Sequence, residues 1–517
     1  MTETPRVLLI ELAGGSGDVL RPLCEAGVMP NLAALLHSSA VGRLCRDAPP
    51  GAAAAWATLR CGVGPGRHGV LDEAYLDSRR GAIRPVCRRP LPCPSLDELV
   101  ARADSGPPAA RVADVPGDPR LWQTRPESFD ELATGIARTI GAIDRTVAAA
   151  KRADRAGPWR LLSVRFGVLD PLLHRLWSTL GLGDAPGANR RWVAKAREAF
   201  VALDLGLGRL RELAGARDAT AVLVSPFGFV PFREKISVSE LFRRRGLLHL
   251  SDGTGRFGYR VRRLAWRARR AVLGNGASRP VRAWLPIDWR RTLAVSLHGQ
   301  GAALVYLNTS ERFGTRSLVT PRERDQATAD AMAALCEGQH PASGEPLFQD
   351  VYRTTDRYAC DPLATGLPEI VGIPSPGFLV RHRPDRNGHL LRTDPSLAAT
   401  RSSEGSLILH GPGIPPHRDF TADLADVAPT ILEMLGLPRG EEMSGRALLR
   451  IGLTVGNAHV VYPSPTTGLC STPSRSISTS TLSPGWRNTG GLRAKPTPGG
   501  VPVKMRSPGS SVQTPET

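Results

Sequence analysis

The chain has 517 residues, of which 41% are hydrophobic and 22% charged, with 54 glycines and 45 prolines. This composition is typical of a globular protein rich in loops and excludes a fibrous one. The length allows about three domains of ~150 residues each, or one large α/β domain with an insertion. No run of 18 apolar residues is present, so we expect no membrane span.

The formal charge of +19 is concentrated in one segment of the chain. Between Arg243 and Arg291 there are fourteen arginines and two acidic residues, so this segment carries +12 of the total. A basic segment can contact an acidic partner, but no specific nucleic-acid motif accompanies this one. The charge therefore does not indicate a nucleic-acid-binding protein.

The cysteines and the first residues bear on location. The eight cysteines form no C-x-x-C pair and no zinc-ribbon spacing. The strand-like run Val7–Ile10 begins within a few residues of Met1, which leaves no room for the hydrophobic region of a secretory signal. We therefore expect reduced thiols and a cytoplasmic location.

Predicted strands alternate with predicted helices over the first 229 residues. Val7–Ile10 and the glycine-rich segment Gly14–Asp18 predict a buried strand, a turn and a helix start. Apolar residues spaced by three or four from Phe129 to Val147 predict a long amphipathic helix, and Ala221–Val224 predicts another buried strand. This alternation implies a parallel sheet covered on both faces.

The alternation is interrupted once and then resumes. Residues 230–399 contain loops, basic helices and a strand at Ala303–Leu307, which predicts an inserted cap. The strand pattern returns at Ser406–Leu409, after which the chain becomes rich in Ser, Thr, Pro and Gly, a composition typical of disorder. We predict a core of residues 5–229 and 400–450, a cap of residues 230–399, and a disordered tail of residues 451–517.

Several short blocks occur in an order that carries more information than any block alone. They are Val7–Leu12 with Gly14, Met29–Leu32, Gly62–Val70, Asp170–Trp177, Ile287–Thr292, Glu404–Gly405, Gly411–Ile414, Asp426–Ile431 and Gly436–Pro438. In this order they resemble the alkaline phosphatase superfamily, specifically its type I phosphodiesterase/nucleotide pyrophosphatase branch. The resemblance implies a central, mostly parallel sheet flanked by helices, with two metal ions, often zinc, at the carboxyl ends of the strands.

The chemistry of that family uses two ions to activate a Thr or Ser nucleophile and to bind the oxygens of an in-line displacement at phosphorus. By the resemblance, the nucleophile position is Ala52 and the other ligand positions of the first ion are Ala13, Pro226 and Phe227. None of these residues can bind a metal. Glu11 cannot replace the aspartate expected at Ala13, because two residues along a strand separate them by about 7 Å.

For the second ion, the resemblance retains Asp170 and His174, but the expected histidine is Arg401. Two protein ligands are fewer than the three that catalytic zinc usually keeps. We therefore expect no cofactor, with a residual zinc or other divalent ion on Asp170 and His174 as the alternative. We hypothesise that Arg401 occupies the place of the second ion and pairs with Asp170, so that a guanidinium replaces the charge of the metal.

Loss of a nucleophile alone costs on the order of 10⁶ in rate in a serine protease, and groups that act as a unit fail together. The sequence therefore predicts a pseudoenzyme that binds an anionic or phosphorylated ligand, or a protein partner, through Asp170, His174 and Arg401. The simpler interpretation is a structural ion pair above an apolar floor of Pro226 and Phe227.

Two other functions stay open. One is an active phosphoester hydrolase or transferase with a site rebuilt on Asp170, His174 and Arg401. The other is a cytoplasmic adaptor that acts through the arginine-rich helix Arg256–Arg270, which would bind an acidic protein partner or associate peripherally with an anionic membrane.

Overall fold

A computed structural model of the chain describes residues 4–103, 110–114, 122–182, 189–251, 260–261, 264–265, 267–268, 279–280, 286–314, 317–385 and 387–449. These residues belong to the first of two units, Met1–Pro465, and the second unit, Thr466–Thr517, lies outside the described residues. The predicted tail and most of the arginine-rich helix Arg256–Arg270 also lie outside them.

Strands and helices follow one another over the first 229 residues, as predicted, whereas several strands come in succession later in the chain. The strands are β1 (Val7–Leu12), β2 (Ala40–Cys45), β3 (Ala74–Asp77), β4 (Ala82–Pro85), β5 (Ala110–Asp114), β6 (Leu161–Phe166), β7 (Thr220–Ser225), β8 (Gly228–Pro231), β9 (Lys235–Ser237), β10 (Arg279–Pro280), β11 (Ala294–Ser296), β12 (Ala303–Leu307), β13 (Phe348–Arg353), β14 (Ile370–Pro374), β15 (Leu379–Arg381), β16 (Leu391–Arg392), β17 (Ala399–Ser402), β18 (Gly405–His410) and β19 (Arg418–Asp423). The α-helices are α1 (Gly17–Glu25), α2 (Pro30–His37), α3 (Ala52–Cys61), α4 (Pro65–His68), α5 (Leu96–Ala103), α6 (Phe129–Arg155), α7 (Leu169–Leu176), α8 (Arg190–Ala216), α9 (Val238–Arg244), α10 (Ser310–Phe313), α11 (Arg324–Cys336), α12 (Thr354–Tyr358), α13 (Pro362–Thr365) and α14 (Val427–Met434).

The central sheet has the strand order β19-β2-β18-β7-β1-β6-β5. Strand β18 is antiparallel to both of its neighbours, β2 and β7. The other neighbouring pairs are parallel. Every residue of β1 is buried, as expected for a parallel strand covered on both faces. The sheet is therefore mixed but mostly parallel.

Two long helices, α6 and α8, pack against each other beside this sheet. The side chain of Ser128 caps α6 by accepting a hydrogen bond from the N–H of Glu131. A Cβ atom on Gly206 of α8 would lie only 3.1 Å from Val147 of α6, so glycine permits this close approach. In the described part of the chain, no single helix is long and apolar enough to span a membrane, although α1 and α2, bent by 110°, pass that test as a pair on length and composition.

The chain leaves the core for the insertion along β8 and returns to it along β17. Strand β8 pairs with β17 in antiparallel register, which places Phe229 opposite Arg401. Between these strands the chain builds a sheet of order β11-β12-β14-β13 with its own hydrophobic cluster. The earlier hairpin β3–β4 also contributes to that cluster, through Leu76 and Ile83. Both sides of the insertion therefore meet close to Arg401.

His68 fixes the segment between α3 and β3. Its Nδ1 accepts a hydrogen bond from the N–H of Val70 at 3.1 Å, so Nε2 of the neutral ring donates to Thr58 Oγ1 at 3.0 Å. The side chain is fully buried. Burial lowers the pKa of His68 to about 3, and the charge of Arg89 acts in the same direction. His68 is therefore neutral in the folded protein near neutral pH.

Because of His68, we expect the free energy of unfolding to decrease as the pH is lowered, by on the order of 1 kcal/mol per pH unit between about pH 6 and pH 4. In this range the unfolded chain protonates His68, with an ordinary pKa of 6.5, and the folded protein does not. The contribution is complete above pH 6.5 and is lost as the pH falls toward 3. Urea unfolding at several pH values should give His68→Gln a shallower slope than the wild type; parallel pH profiles would contradict this role.

Candidate functional site

The pairing hypothesised between Arg401 and Asp170 is present in the structure. Asp170 lies in the first turn of α7 and His174 lies one turn later on the same face. Arg401 Nε donates to Asp170 Oδ1 at 2.6 Å, and one Nη donates to Oδ2 at 2.7 Å. This is the bidentate fork that makes arginine a strong carboxylate partner.

Electrostatics fix the charge of the Asp170–Arg401 pair and of its histidine neighbour. Burial alone would raise the pKa of Asp170, but the charge and hydrogen bonds of Arg401 outweigh it and hold the pKa below its ordinary value. Burial lowers the pKa of His174 to about 4 despite the nearby Asp170. His174 Nδ1 donates to the carbonyl of Ala399 at 2.8 Å, and Nε2 is 3.8 Å from Asp170 Oδ1. His174 is therefore neutral and anchored to the backbone of β17.

The four positions expected to hold the first ion are apolar and packed. Ala13 is buried just after β1, and Ala52 is the first residue of α3. Pro226 and Phe227 connect β7 to β8, and both are buried, Phe227 completely. The hydroxyl of Ser225 donates to the carbonyl of Phe227 at 2.8 Å, which fixes the turn.

We call Trp56, Phe227 and Phe229 the aromatic floor. The ring of Phe227 lies 6.2 Å from that of Trp56 and 6.4 Å from that of Phe229, and the guanidinium of Arg401 lies 5.4 Å above it. Gly14 has a φ of +96°, and a Cβ atom there would lie 2.5 Å from the Phe229 ring, so only glycine fits. Aromatic rings thus pack around Phe227, where the resemblance expects a ligand of the first ion, and Arg401 lies over that ring.

The side chains present do not fit the two ions implied by the resemblance. Among the described residues, no group of three or more His, Cys, Asp or Glu side chains is placed to hold a metal. Glu11 does not replace the missing aspartate, because its buried carboxylate pairs with Arg60 at 2.8 Å and Arg165 at 2.7 Å. A residual divalent ion on Asp170 and His174 would have to displace Arg401 from both carboxylate oxygens.

In the described part of the chain, neither Thr58 nor Cys61 is free to replace the nucleophile expected at Ala52. The hydroxyl of Thr58, six residues later, is bonded to His68. Cys61, at the end of α3, is 1% exposed and its Sγ lies 3.9 Å from the carbonyl of Cys93. A hydrogen bond with the Cys93 side chain, together with burial, raises the pKa of the Cys61 thiol, which disfavours the nucleophilic thiolate.

A cavity of about 590 Å³ lies between the core and the cap, with Arg401 in its lining. His174 and Arg401 line its core side. Glu73 also lines it; one of its carboxylate oxygens is 3.6 Å from Arg401, and its side chain is 64% exposed. The apolar lining comes from Pro50, Ala74, Ile83, Pro85, Leu297, Leu379 and Leu397. The site therefore combines a cavity with polar residues in its lining and a packed apolar floor around Phe227.

The cap side of the cavity holds polar residues that the sequence analysis missed. His298 Nδ1 donates to Asp72 at 3.3 Å, and the hydroxyl of Tyr306 donates to Nε2 at 2.7 Å. His382 Nδ1 accepts from the hydroxyl of Ser296 at 3.0 Å. Burial would raise the pKa of Asp72, but the hydrogen bond with His298 holds it below its ordinary value. Asp72, His298 and Tyr306 are bonded to one another, and Ser296 and His382 form a second hydrogen-bonded pair in the same polar wall.

The comparisons with known proteins agree with this fold. A sequence model of the type I phosphodiesterase / nucleotide pyrophosphatase family matches residues 7–395. Phosphonoacetate hydrolase from Sinorhizobium meliloti 1021, solved in complex with phosphonoformate, is 15% identical with a TM-score of 0.50, and the match covers 84% of this chain and 95% of that one. Murine ectonucleotide pyrophosphatase / phosphodiesterase 5 is 11% identical with a TM-score of 0.47, covering 84% of this chain and 95% of that one. Comparison with curated protein sequences gives no match.

At 15% identity, the likeness to phosphonoacetate hydrolase shows a shared fold alone. The family match spans most of the chain and includes Ala13, Ala52, Asp170, His174 and the Pro226–Phe227 turn. The predicted α/β fold, with its mostly parallel sheet and inserted cap, is confirmed. The chain belongs to the type I phosphodiesterase/nucleotide pyrophosphatase family of the alkaline phosphatase superfamily.

Proposed function

We propose that this family member is a pseudoenzyme, which binds an anionic or phosphorylated ligand in the cavity between core and cap and does not hydrolyse it. The observation that carries the proposal is the bidentate pair of Arg401 with Asp170 where the second ion would lie. A guanidinium supplies positive charge and donors, but it cannot activate a nucleophile as a metal does.

The arrangement around Ala52 supports the loss of hydrolysis. The family reaction needs a hydroxyl held by an ion, and here the methyl group of Ala52 stands at the start of α3. Loss of the nucleophile is expected to cost on the order of 10⁶ in rate by itself. Without ligands for the ions, the other groups that would act together with the nucleophile are absent as well.

The cavity supports retention of binding. Its volume of about 590 Å³ falls in the range of small-molecule sites, which are mostly apolar with a few polar groups that fix the ligand. Arg401 is 20% exposed on its side chain, and the Nη group that does not donate to Asp170 lies 3.6 Å from the exposed carboxylate of Glu73, which an anionic ligand would have to displace. A ligand there would meet this cation together with polar and apolar side chains of the lining.

The alternative of a hydrolase rebuilt on Asp170, His174 and Arg401 has weaker support. His174, with its pKa lowered to about 4, is a weak general base, and both oxygens of Asp170 are bound by Arg401. The cytoplasmic location and an acidic partner for Arg256–Arg270 stay predictions from the sequence.

We expect purified protein to show no turnover of bis(4-nitrophenyl) phosphate above background, with or without added zinc, and Ala52→Thr to show none either. The variant regains a hydroxyl but not the ion that would hold it. Metal analysis of the same samples and thermal shifts with phosphate esters separate loss of binding from loss of chemistry. Zinc-dependent turnover that His174→Ala abolishes would establish the rebuilt hydrolase instead.

A further inference from the structure

Two buried thiols, those of Cys61 and Cys93, lie in contact beside the core. Cys61 is the last residue of α3, and Cys93 lies between β4 and α5. Their exposure is only 1% and 7%, and with Val63 they form a small hydrophobic cluster that is separate from the two large ones. The Sγ of Cys61 lies 3.9 Å from the carbonyl oxygen of Cys93, and its thiol is hydrogen-bonded to the Cys93 side chain. The two sulfur atoms are therefore neighbours.

A bond between these sulfurs would close a loop that carries one wall of the cavity. Cys61 and Cys93 are 32 positions apart, and the hairpin β3–β4 lies between them. This intervening segment contributes to the cavity lining Asp72, Glu73, Ala74, Ile83 and Pro85. Arg89, four residues before Cys93, donates to the carbonyl of Thr365 in the cap at 2.9 Å. A disulfide would therefore tie the end of α3 to a segment that already contacts the cap, and would restrain the cavity wall at both of its ends.

The two thiols differ in reactivity. The hydrogen bond with Cys61 lowers the pKa of the Cys93 thiol below its ordinary value, although burial opposes this effect. The same hydrogen bond, together with burial, raises the pKa of Cys61. Because the thiolate is the attacking form, an oxidant reacts first with Cys93, which is also the more exposed of the two. Cys61 is then in place as the second thiol, which completes the disulfide.

We propose that Cys61 and Cys93 form a redox-sensitive pair, which a hydroperoxide converts into a reversible disulfide that restrains the cavity wall. The sulfur of Cys93 attacks one oxygen of hydrogen peroxide and the O–O bond breaks, which gives a sulfenic acid and one water. The sulfur of Cys61 then attacks the sulfur of Cys93, the S–O bond breaks, and the hydroxyl group leaves with the proton of Cys61 as a second water. The peroxide is reduced, the two thiols are oxidised, and a dithiol reductant restores them. This inference holds whatever the cavity binds.

Peptide mapping of the full chain after treatment with hydrogen peroxide tests the pair. Free thiols are alkylated before the chain is digested without a reductant. We expect mass spectrometry to show a linked pair of peptides that contain Cys61 and Cys93, and dithiothreitol to remove this link. With dimedone, which traps sulfenic acids, Cys61→Ser should be labelled at Cys93, whereas Cys93→Ser should not be labelled at Cys61. Cys24→Ser is the control, because it removes a half-buried thiol on α1 and should leave the link unchanged.

The disulfide should also stabilise the protein. Because a cross-link restricts the unfolded chain, the oxidised wild type should melt about 5 °C above the reduced wild type, and Cys61→Ser and Cys93→Ser should both lose this rise. Alkylated Cys61 and Cys93 after peroxide treatment would overturn the inference, as would a link from either of them to the exposed Cys87. A Cys61–Cys93 link that leaves the melting temperature unchanged or lower would overturn the restraint of the wall. The peptide map of the wild type decides the matter even if a serine variant does not fold.

Discussion

Arg401→Ala is expected to lower the free energy of unfolding by about 3 kcal/mol. The variant leaves the carboxylate of Asp170 desolvated without its bidentate partner, and the side chains of the pair are only 20% and 19% exposed. It also removes the guanidinium that covers the Phe227 ring. Urea unfolding at pH 7 measures the loss.

Asp170→Asn, Arg401→Met and the double variant Asp170→Asn/Arg401→Met form a double-mutant cycle that isolates the interaction between the two side chains. The double variant should be more stable than Arg401→Ala, because no charge is left unpaired. Arg43→Ala breaks an exposed ion pair with Glu404 and should cost less than about 1 kcal/mol. A loss of similar size in Arg401→Ala would show that the pair contributes little.

The Asp170–Arg401 pair also has a defined pH dependence. Because the folded-state pKa of Asp170 is lowered, its contribution to stability is complete above the ordinary value of 3.8 and is lost as the pH falls through the lower folded value. The cost of Arg401→Ala should therefore shrink under strongly acidic conditions and stay constant near neutral pH. This profile differs from that of His68, whose contribution already falls below pH 6.5.

The Asp170–Arg401 contact could be predicted from the sequence although 231 positions separate the two residues. The sequence blocks around the two residues occur in the order of a known family, and this order indicated which distant segments lie side by side. Local patterns also predicted β1, α6 and β7, because hydrophobic periodicity depends on neighbours in the sequence. Ala52 and Ala13 were informative because a change of residue type can be seen without coordinates.

Neither the polar wall around Asp72 and His298 nor the orientation of Arg46 could be predicted in this way. Asp72 and His298 are 226 positions apart and belong to no motif, so only the packing of the cap against the hairpin β3–β4 brings them together. Arg46 lies in an irregular segment, where no periodicity indicates which way a side chain points.

By the resemblance, three ligand positions of the first ion are Ala13, Pro226 and Phe227, and their apolar character has a common physical reason. Without a metal, a buried aspartate or histidine would be left unpaired in a closed site, which is unfavourable. The buried apolar residues Ala13, Pro226 and Phe227 at these positions leave no such unpaired polar side chain. Phe227 then supports Arg401 from below, so the aromatic floor and the ion pair depend on each other.

We expect Phe227→Ala to lower the free energy of unfolding by about 4 kcal/mol, since removal of a fully buried phenyl ring from a packed core leaves a cavity. The rings of Trp56 and Phe229 lose their shared neighbour, and Arg401 loses the aromatic face beneath it. Phe232→Ala, at a half-buried phenylalanine five residues later, is the control and should cost much less. Chemical denaturation of the two variants under the same conditions gives the comparison.

The variant Phe227→His tests whether the aromatic floor is fully packed or can still accept a metal ion. The resemblance expects histidine at this position, but here the imidazole would be buried beside Trp56 and Phe229 without a polar partner. We therefore expect this variant to be destabilised, and zinc to leave its melting temperature unchanged, because Ala13, Ala52 and Pro226 still supply no ligands. A rise in melting temperature with zinc, specific to Phe227→His, would mean that an ion still fits beneath Arg401 and that the aromatic floor is only one substitution away from a metal site.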